Sequence, residues 1–306
     1  LEKHPKDFDV ATNARPNEIQ SLFRKARIIG RRFQIVHVRM GPEIIEVTTF
    51  RGSSENSHHR QTNESGMLVR DNVFGSVEDD AIRRDFTMNA LYYDPSTHEV
   101  LDFVGGYDDL EDNIIRVIGD PETRYREDPV RMLRAIRFVG KLEMALAEET
   151  KEPIKRLAPL LRDVSSSRLF DEVLKLLQTG NGHNTFPHLL KFDLLRSMFP
   201  QADAIFQADH DSADHRLILK ALQNTDSRLS EGKTVTPAFL YAAMHWPQVK
   251  LRWLELENEG NDRSNSLAIA TSETLEFNQQ FVAIPKRFST TIREIWGLQI
   301  KLEKRH

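Results

Sequence analysis

The sequence predicts an α+β domain followed by an all-α body, and three observations support this prediction. The chain has 306 residues, more than a single domain usually contains. Short β-branched runs, such as those at 34–39 and 44–50, are concentrated before residue 118. From Asp120 onward apolar residues recur at three- and four-residue spacing. Strands that precede helices, rather than alternating with them, are typical of α+β architecture.

The first 50 residues predict a strand, a helix and a hairpin, in that order. The strand carries Asp7 and Asp9, and the helix is expected to end in the basic stretch 22–32. Gly41 and Pro42 separate two β-branched runs, which is the pattern of a hairpin turn.

The remaining elements follow from composition and periodicity. Residues 51–80 are polar, and we expect a mobile loop there. Residues 91–118 return to strands, and the chain is expected to be helical afterwards. The sequence therefore predicts a head over 1–118, a neck over 119–180 and a helical body over 181–306.

Composition excludes several classes of protein. The chain has no cysteine, so neither a disulfide nor a cysteine-based zinc site can form. No apolar run approaches the roughly 20 residues of a membrane-spanning helix. The net charge of −4 argues against a uniformly basic nucleic-acid binder, but arginine-rich clusters at 24–32 and 124–137 can supply a local basic face. These features predict a cytoplasmic enzyme with no membrane segment.

Asp7 and Asp9 are the most informative pair in the chain. In an extended strand residues i and i+2 point to the same face, so the two carboxylates lie side by side. Such neighbours repel one another unless a cation lies between them. Two Mg²⁺ ions about 3.5–4 Å apart supply that charge in enzymes of nucleotidyl transfer. An isolated Asp-x-Asp is more often a pair of solvated loop acids, so the prediction depends on accompanying residues.

Two further carboxylates are candidates for the same site. Glu46 lies on a run that is expected to form a strand next to that of Asp9. Asp85 follows Arg83 and Arg84, although such a group is ordinarily a surface ion pair.

A third charged group lies on a predicted helix. Arg131, Arg134 and Arg137 recur at three-residue spacing, which gathers them on one broad face. Pro129 is tolerated only in a first helical turn, so Asp128 lies near the helix N-terminus. No acidic partner stands at i+4 on that face, which suggests contact with a phosphate or a base.

Four blocks of this sequence resemble, in order, the class II nucleotidyltransferases, a superfamily that contains CCA-adding tRNA nucleotidyltransferases and bacterial poly(A) polymerases. The resemblance is strong over residues 1–178 and looser to the end. The four blocks are residues 6–12, 46–51, 83–90 and 127–131. Residues 28–35, 168–175 and 283–287 resemble the poly(A) polymerase branch. Relatives carry a Gly-Gly and an Arg-Asp pair ahead of the Asp-x-Asp; that block is absent here, and we expect the natural protein to have it.

The resemblance implies a polymerase-beta-like nucleotidyltransferase head with a mixed sheet. It also implies template-independent addition of AMP from ATP to RNA 3′ ends, with two Mg²⁺ ions, or Mn²⁺, as cofactors. Asp7 and Asp9 would bind the metal, and Asp85, ranked ahead of Glu46, would complete the set of carboxylates. The implied nucleotide-binding residues of the head and neck are Arg84, Asp128, Arg131 and Arg134. The implied body function is RNA binding, and we expect RNA contacts from Arg31 and Arg32 in the basic cluster 24–32. The sequence identifies no protein partner.

Alternatives from other classes remain. Asp128 and Arg131 together would accept adenine and cytosine and reject guanine and uracil. Addition of CCA to tRNA is therefore a rival activity. The chain could instead be a non-catalytic RNA-binding relative. Asp-His pairs at 209–210 and 214–215 resemble those of metal phosphohydrolases, but no further ligands are evident, and we expect the histidines, including His58 and His59, to be solvated. Trp246, Trp253 and Trp296 are expected in the core or at an interface.

Overall fold

The structure, a computed structural model, describes residues 8–30, 34–52, 60–62, 68–71, 74–209 and 212–303. The chain divides into two compact units. The first comprises residues 1–128 with 147–150, and the second comprises 129–146 with 151–306. Strands are concentrated in the first unit and helices in the second, so the predicted α+β class is confirmed. The finer division into head, neck and body stays a prediction.

A four-stranded sheet in the order β1-β4-β3-β2 organises the first unit. Its strands are β1 (Val10–Thr12), β2 (Ala26–Ile29), β3 (Ile35–Met40) and β4 (Glu43–Thr49). β1 pairs with β4 in parallel, whereas β3 is antiparallel to both of its neighbours, so the sheet is mixed as predicted. Alternation places Val36, Val38 and Val47 on one face, where they pack against Ile19 of helix α1 (Pro16–Leu22).

Helix α1 ends earlier than the sequence predicts. We expected it to continue into the basic stretch 22–32, but Ala26–Ile29 form β2, which pairs with β3. A turn in which the Ala26 N–H donates to the Phe23 carbonyl separates the helix from the strand. Ala26 is buried and Arg27 is exposed, so cross-strand pairing and burial of alternate residues outweigh the helix propensity of the basic side chains.

The predicted hairpin turn is confirmed. Met40 pairs with Glu43, and Gly41 and Pro42 form a two-residue connection between β3 and β4. Gly41 has φ +63°, a value that glycine adopts without a steric penalty and that matches tight hairpin turns.

The prediction of a mobile loop over residues 51–80 is wrong for the described part of that stretch. Short strands β5 (Arg60–Thr62) and β6 (Leu68–Asp71) pair with each other, and helix α2 occupies Val77–Arg83. The Ser76 side chain caps α2 by accepting from the Asp79 N–H. Ala81 packs into a small apolar cluster, which anchors a helix that the polar composition concealed. Residues 53–59, 63–67 and 72–73 lie outside the described part.

The rest of the first unit forms a hairpin, two short helices and a further short strand. They are β7 (Leu91–Asp94), β8 (Glu99–Asp102), α3 (Gly106–Glu111), β9 (Ile114–Ile115) and α4 (Pro121–Glu127). Helix α3 was not predicted. Asp102 accepts hydrogen bonds from four successive backbone N–H groups at its start, including that of Gly106. A Cβ at Gly106 would lie 2.3 Å from the Thr87 carbonyl oxygen, so the close approach of these two backbone segments requires a glycine at this position.

The second unit is built from helices, as predicted. After α5 (Val130–Leu142) and β10 (Ala145–Leu146), the described helices are α6 (Glu148–Leu157), α7 (Ser166–Leu177), α8 (Gly182–Lys191), α9 (Leu194–Met198), α10 (Pro200–Ala208), α11 (Ala213–Ser230), α12 (Pro237–Asn258), α13 (Arg263–Asn278) and α14 (Lys286–Glu303). Trp253 and Trp296 are buried, and their indole N–H groups donate to the carbonyls of Arg263 and Ala242. Within the described part of the chain, no helix combines the length and apolarity needed to cross a membrane.

The histidine prediction fails at His215. We expected a solvated side chain, but His215 is buried on α11 with its ring beside those of Phe186 and Phe206. The three-residue apolar spacing of α11 turns this position toward the core. His58, His59 and His210 lie outside the described residues.

Candidate active site

Strand register places two of the predicted acidic residues, Asp9 and Glu46, next to each other. Asp9 directly precedes β1, whose first residue, Val10, is paired with Val47 of β4. Glu46 directly precedes Val47, so Asp9 and Glu46 occupy adjacent positions one step before that pair. Extended backbone gives both side chains the face opposite the buried Val47. The predicted adjacency of the Asp9 and Glu46 strands is therefore confirmed.

The same row of the sheet continues through two more strands. Glu46 is paired with His37 on β3, and His37 is paired with Arg27 on β2. His37 Nε2 lies 3.2 Å from Glu46 Oε1, so an imidazole hydrogen bond restrains this carboxylate. Because the core valines occupy the other face, we call the face that carries Arg27, His37 and Glu46 the open face of the sheet.

Asp9 and Glu46 give the open face two carboxylates, the donor type that a divalent metal ion takes. Carboxylate oxygens are the ligands that Mg²⁺ prefers in proteins. Asp9 is exposed and Glu46 has a side chain 46% exposed, so both are accessible to an ion. Within the described ranges, no group of three or more His, Asp and Glu side chains is arranged to hold a metal. Asp7, the other predicted ligand, lies outside those ranges and stays a prediction.

Asp85 belongs to a different element. It follows α2, and its Oδ1 accepts hydrogen bonds from the Phe86 N–H at 2.9 Å and from Asn89 Nδ2 at 3.1 Å. Its carbonyl accepts from the Ile118 N–H. These contacts hold the Asp85 carboxylate beside the short 3₁₀ turn that begins at Thr87. This turn lies outside the four-stranded sheet.

Arg84 is the centre of a polar network. Its Nε lies 2.8 Å from the Tyr92 hydroxyl, its Nη1 donates to the Asn89 carbonyl at 3.1 Å, and its Nη2 lies 3.3 Å from Asp80 Oδ2. The Tyr92 hydroxyl donates to the same Asp80 oxygen, and Arg51 contacts the other through its backbone N–H and its Nε. Arg84, which was predicted as a site residue, and Arg51 and Tyr92, which were not, therefore all contact the buried carboxylate of Asp80.

The network controls the ionisation of Asp80 and Tyr92. Burial opposes the charge on Asp80, but the Tyr92 hydrogen bond and the positive charges of Arg51 and Arg84 outweigh it, so the pKa of Asp80 lies below its ordinary value. Burial, together with the Asp80 carboxylate, raises the pKa of Tyr92. Asp80 was not predicted as a site residue because it lies in the polar stretch 51–80. Ser76, which caps α2, is the signal that could have placed Asp80 on a helix.

Arg124 fixes the backbone that precedes Asp85. Its Nη2 donates to the carbonyls of Arg83 and Arg84 at 2.7 and 2.6 Å, and its Nη1 forms an ion pair with Glu127. This arginine of the 124–137 cluster therefore has a structural role within the first unit.

The arginines of α5 are arranged as predicted. Arg131, Arg134 and Arg137 are all partly exposed, while their neighbours Met132, Leu133, Ala135 and Ile136 are buried. The three guanidiniums therefore share one stripe of the helix in the second unit. Asp128 is the last residue of the first unit and directly follows α4 as its C-cap. Arg31 and Arg32, the predicted RNA contacts, lie outside the described residues.

Comparisons with known proteins match the chain along its length. Three family models match it: "Poly A polymerase head domain" over residues 1–116, "Probable RNA and SrmB- binding site of polymerase A" over 143–206, and "Polymerase A arginine-rich C-terminus" over 259–306. Poly(A) polymerase I of Salmonella typhi is 49% identical over 310 residues, which cover 100% of this chain and 67% of the relative.

CCA-adding enzymes are also similar. That of Lactobacillus helveticus is 38% identical over 176 residues, or 58% of this chain and 42% of the relative. The crystal structure of the Bacillus stearothermophilus CCA-adding enzyme in complex with CTP superposes with a TM-score of 0.55 at 24% identity, covering 94% of this chain and 73% of that one. The latter likeness concerns the fold alone.

Proposed function

This chain belongs to the poly(A) polymerase family of nucleotidyltransferases, and we propose that it adds AMP from ATP to RNA 3′ ends without a template. The observation that carries the proposal is the 49% identity to poly(A) polymerase I along the whole chain. The CCA-adding relative matches a smaller share of the chain at lower identity. Since ATP and RNA are its proposed substrates, we place the enzyme in the cytoplasm.

The proposed reaction is an in-line attack of the RNA 3′-hydroxyl on the α-phosphate of ATP, with pyrophosphate as the leaving group. Bound Mg²⁺ would lower the pKa of the hydroxyl and offset charge on the leaving phosphates. We assign Asp7 and Asp9 to hold the metal, with Glu46 or Asp85 as the third carboxylate. Strand register supports Glu46, which shares the open face with Asp9, whereas sequence resemblance supports Asp85.

The hydrogen bond from His37 limits the rotamers of Glu46 and so favours one orientation of its carboxylate on the open face. Arg84 is assigned to the nucleotide, although most of its guanidinium already binds Asp80, Tyr92 and the Asn89 carbonyl. Its primary contribution is therefore to hold the segment that carries Asp85.

Recognition of the base is assigned to Asp128, Arg131 and Arg134. A carboxylate accepts from the exocyclic amine of adenine, and a guanidinium donates to a ring nitrogen. The same pair accepts cytosine, so pocket shape has to distinguish ATP from CTP.

The activity is tested by incubating the protein with a generic single-stranded RNA or with a tRNA that lacks its CCA end, in the presence of ATP or CTP. Long adenylate tails on the generic RNA support the proposal. Addition of CCA restricted to tRNA would establish the rival activity, and the absence of any transfer would indicate an RNA-binding role.

A further inference from the structure

The open face of the sheet contains a cavity of about 470 Å³ that the predicted site does not include. It lies over β2 and β3 and over the turn that precedes β2. The residues that line it include Arg24, Lys25, Arg27, His37, Arg39 and Ile44. Four of these side chains are cationic at neutral pH, and none belongs to the predicted catalytic set.

The four cations of this cavity have no carboxylate partner among the described residues. Within the described residues, no salt bridge joins Arg24, Lys25, Arg27 or Arg39 to a carboxylate, and Arg39 Nε donates to the Gly41 carbonyl. All four side chains are exposed. Gathered like charges repel one another, so this arrangement favours an external anion.

A cavity in the second unit provides a contrast. It has a volume of about 750 Å³ and is also lined by basic side chains. There, however, two of the three lysine and arginine side chains are paired: Lys155 forms an ion pair with Asp193, and Arg196 forms one with the buried Asp203. Basic residues alone therefore do not distinguish a binding surface. The share of them that no described carboxylate pairs with does, and on that criterion the open face of the first unit is favoured.

The cavity has a defined position relative to the predicted acids. Arg27, His37 and Glu46 form one continuous row across three strands, and Asp9 stands beside Glu46. Since neighbouring strands lie roughly 4.8 Å apart, Arg27 is about 14 Å from Asp9 along this row. The whole path lies within the first unit and on a single face.

We propose that this cavity binds backbone phosphates of the RNA strand a short distance upstream of its 3′ end. The inference rests on the proposed function, which places the reacting hydroxyl at Asp9. This backbone separation exceeds the length of a triphosphate chain, which favours a longer polyanion over the β- and γ-phosphates of ATP bound with its α-phosphate at the acids. A nucleic-acid strand spans it readily, and the exposed Ile29 and Ile44 offer apolar contacts to a ribose or a base.

The test compares two double variants that each remove two positive charges. Arg27→Ala/Arg39→Ala alters the cavity, and Lys220→Ala/Lys233→Ala alters exposed side chains of the second unit that bond to Gln223 and Glu231. Binding of a fluorescent single-stranded RNA is measured by anisotropy without ATP or metal, between about 50 and 200 mM salt. Because the cavity side chains are exposed, circular dichroism is expected to show an unchanged fold.

The cavity variant is expected to raise the Kd for RNA roughly tenfold and to reduce the salt slope by about 1.4, since each phosphate contact on a single strand contributes about 0.7. The KM for RNA rises while that for ATP stays constant. The control variant Lys220→Ala/Lys233→Ala is expected to bind RNA with a Kd within about twofold of that of the parent. Arg27→Lys/Arg39→Lys, which keeps both positive charges, restores most of the affinity, because counterion release depends on the charge rather than on the guanidinium geometry.

Three results would overturn the proposal. The first is a Kd and salt slope of the cavity variant equal to those of the parent. The second is an equal loss of RNA affinity in Lys220→Ala/Lys233→Ala, which would show that overall charge controls binding. The third is a rise in the KM for ATP alone, which would assign the cavity to the triphosphate. If the parent transfers no AMP to RNA, the proposed function fails, whereas the anisotropy measurement still decides whether the cavity binds RNA.

Discussion

Two sets of arginines in the first unit have opposite environments. Arg84 and Arg51 surround the carboxylate of Asp80, which is 3% exposed, and Arg84 also binds a tyrosine hydroxyl and a backbone carbonyl. Arg27 and Arg39 lie on the open face, where no described carboxylate pairs with them. The first set is surrounded by acceptors from its own chain, and the second faces solvent.

The difference shows that residue type does not determine what an arginine does. A guanidinium that is satisfied by a buried carboxylate contributes to folding, and breaking such a contact leaves an uncompensated charge. A guanidinium that pairs with no carboxylate of the described residues stays available to an external phosphate. Substitutions in the two regions are therefore expected to separate stability from substrate binding.

The largest expected effect is the loss of catalysis at the acidic end of the open face. Asp9→Ala is expected to lower the rate of AMP transfer by about a hundredfold or more, because loss of the proposed metal ligand removes several kcal/mol of transition-state stabilisation. The Tm should stay constant or rise, since removal of one carboxylate relieves repulsion. A rate within about tenfold of the parent, measured by incorporation of labelled AMP, would contradict the assignment.

The next effect concerns stability. Asp80→Asn is expected to lower the free energy of unfolding by about 2–4 kcal/mol, because it removes the charge that Arg51 and Arg84 surround. Urea titration followed by far-ultraviolet circular dichroism measures the change. Arg27→Ala/Arg39→Ala is the matched comparison and should leave stability within about 0.5 kcal/mol of the parent. Equal destabilisation by both variants would remove the distinction between the two regions.

A third prediction extends the comparison to the stripe of arginines on α5. Arg131→Ala is expected to reduce the ratio of ATP to GTP use by about tenfold or more, because a hydrogen bond to a charged group contributes about 1.5–3 kcal/mol. RNA affinity should change much less. An unchanged ratio in competition assays would assign Arg131 to a phosphate or to the fold.

The smallest effect is the acid dependence of stability. The folded-state pKa of Asp80 lies below its ordinary value of 3.8, so its stabilising contribution is complete above that pH and is lost as the pH falls through the lower folded value. Unfolding titrations at pH 6, 4 and 3 should show a shallower acid loss in Asp80→Asn than in the parent. Parallel curves would show that other carboxylates control acid unfolding.

The sequence predicted the elements whose signals are local. The Gly41-Pro42 turn and the arginine stripe of α5 follow from turn chemistry and residue spacing. Strand β2 was missed because its pairing partner, rather than its own propensity, makes it a strand. Helix α2 was missed because the apolar contacts of Ala81 come from residues distant in the chain.

The sequence by itself determined the α+β class, the precedence of strands over helices along the chain, and the family, because periodicity and short blocks are properties of neighbouring residues. Only the tertiary structure decided which charges meet. It joined Asp80 to Tyr92 and two arginines, and it aligned Arg27, His37 and Glu46 in one row. The physical reason is that electrostatic and hydrogen-bond energies depend on distances of a few ångströms across elements, and strand register and packing alone set those distances.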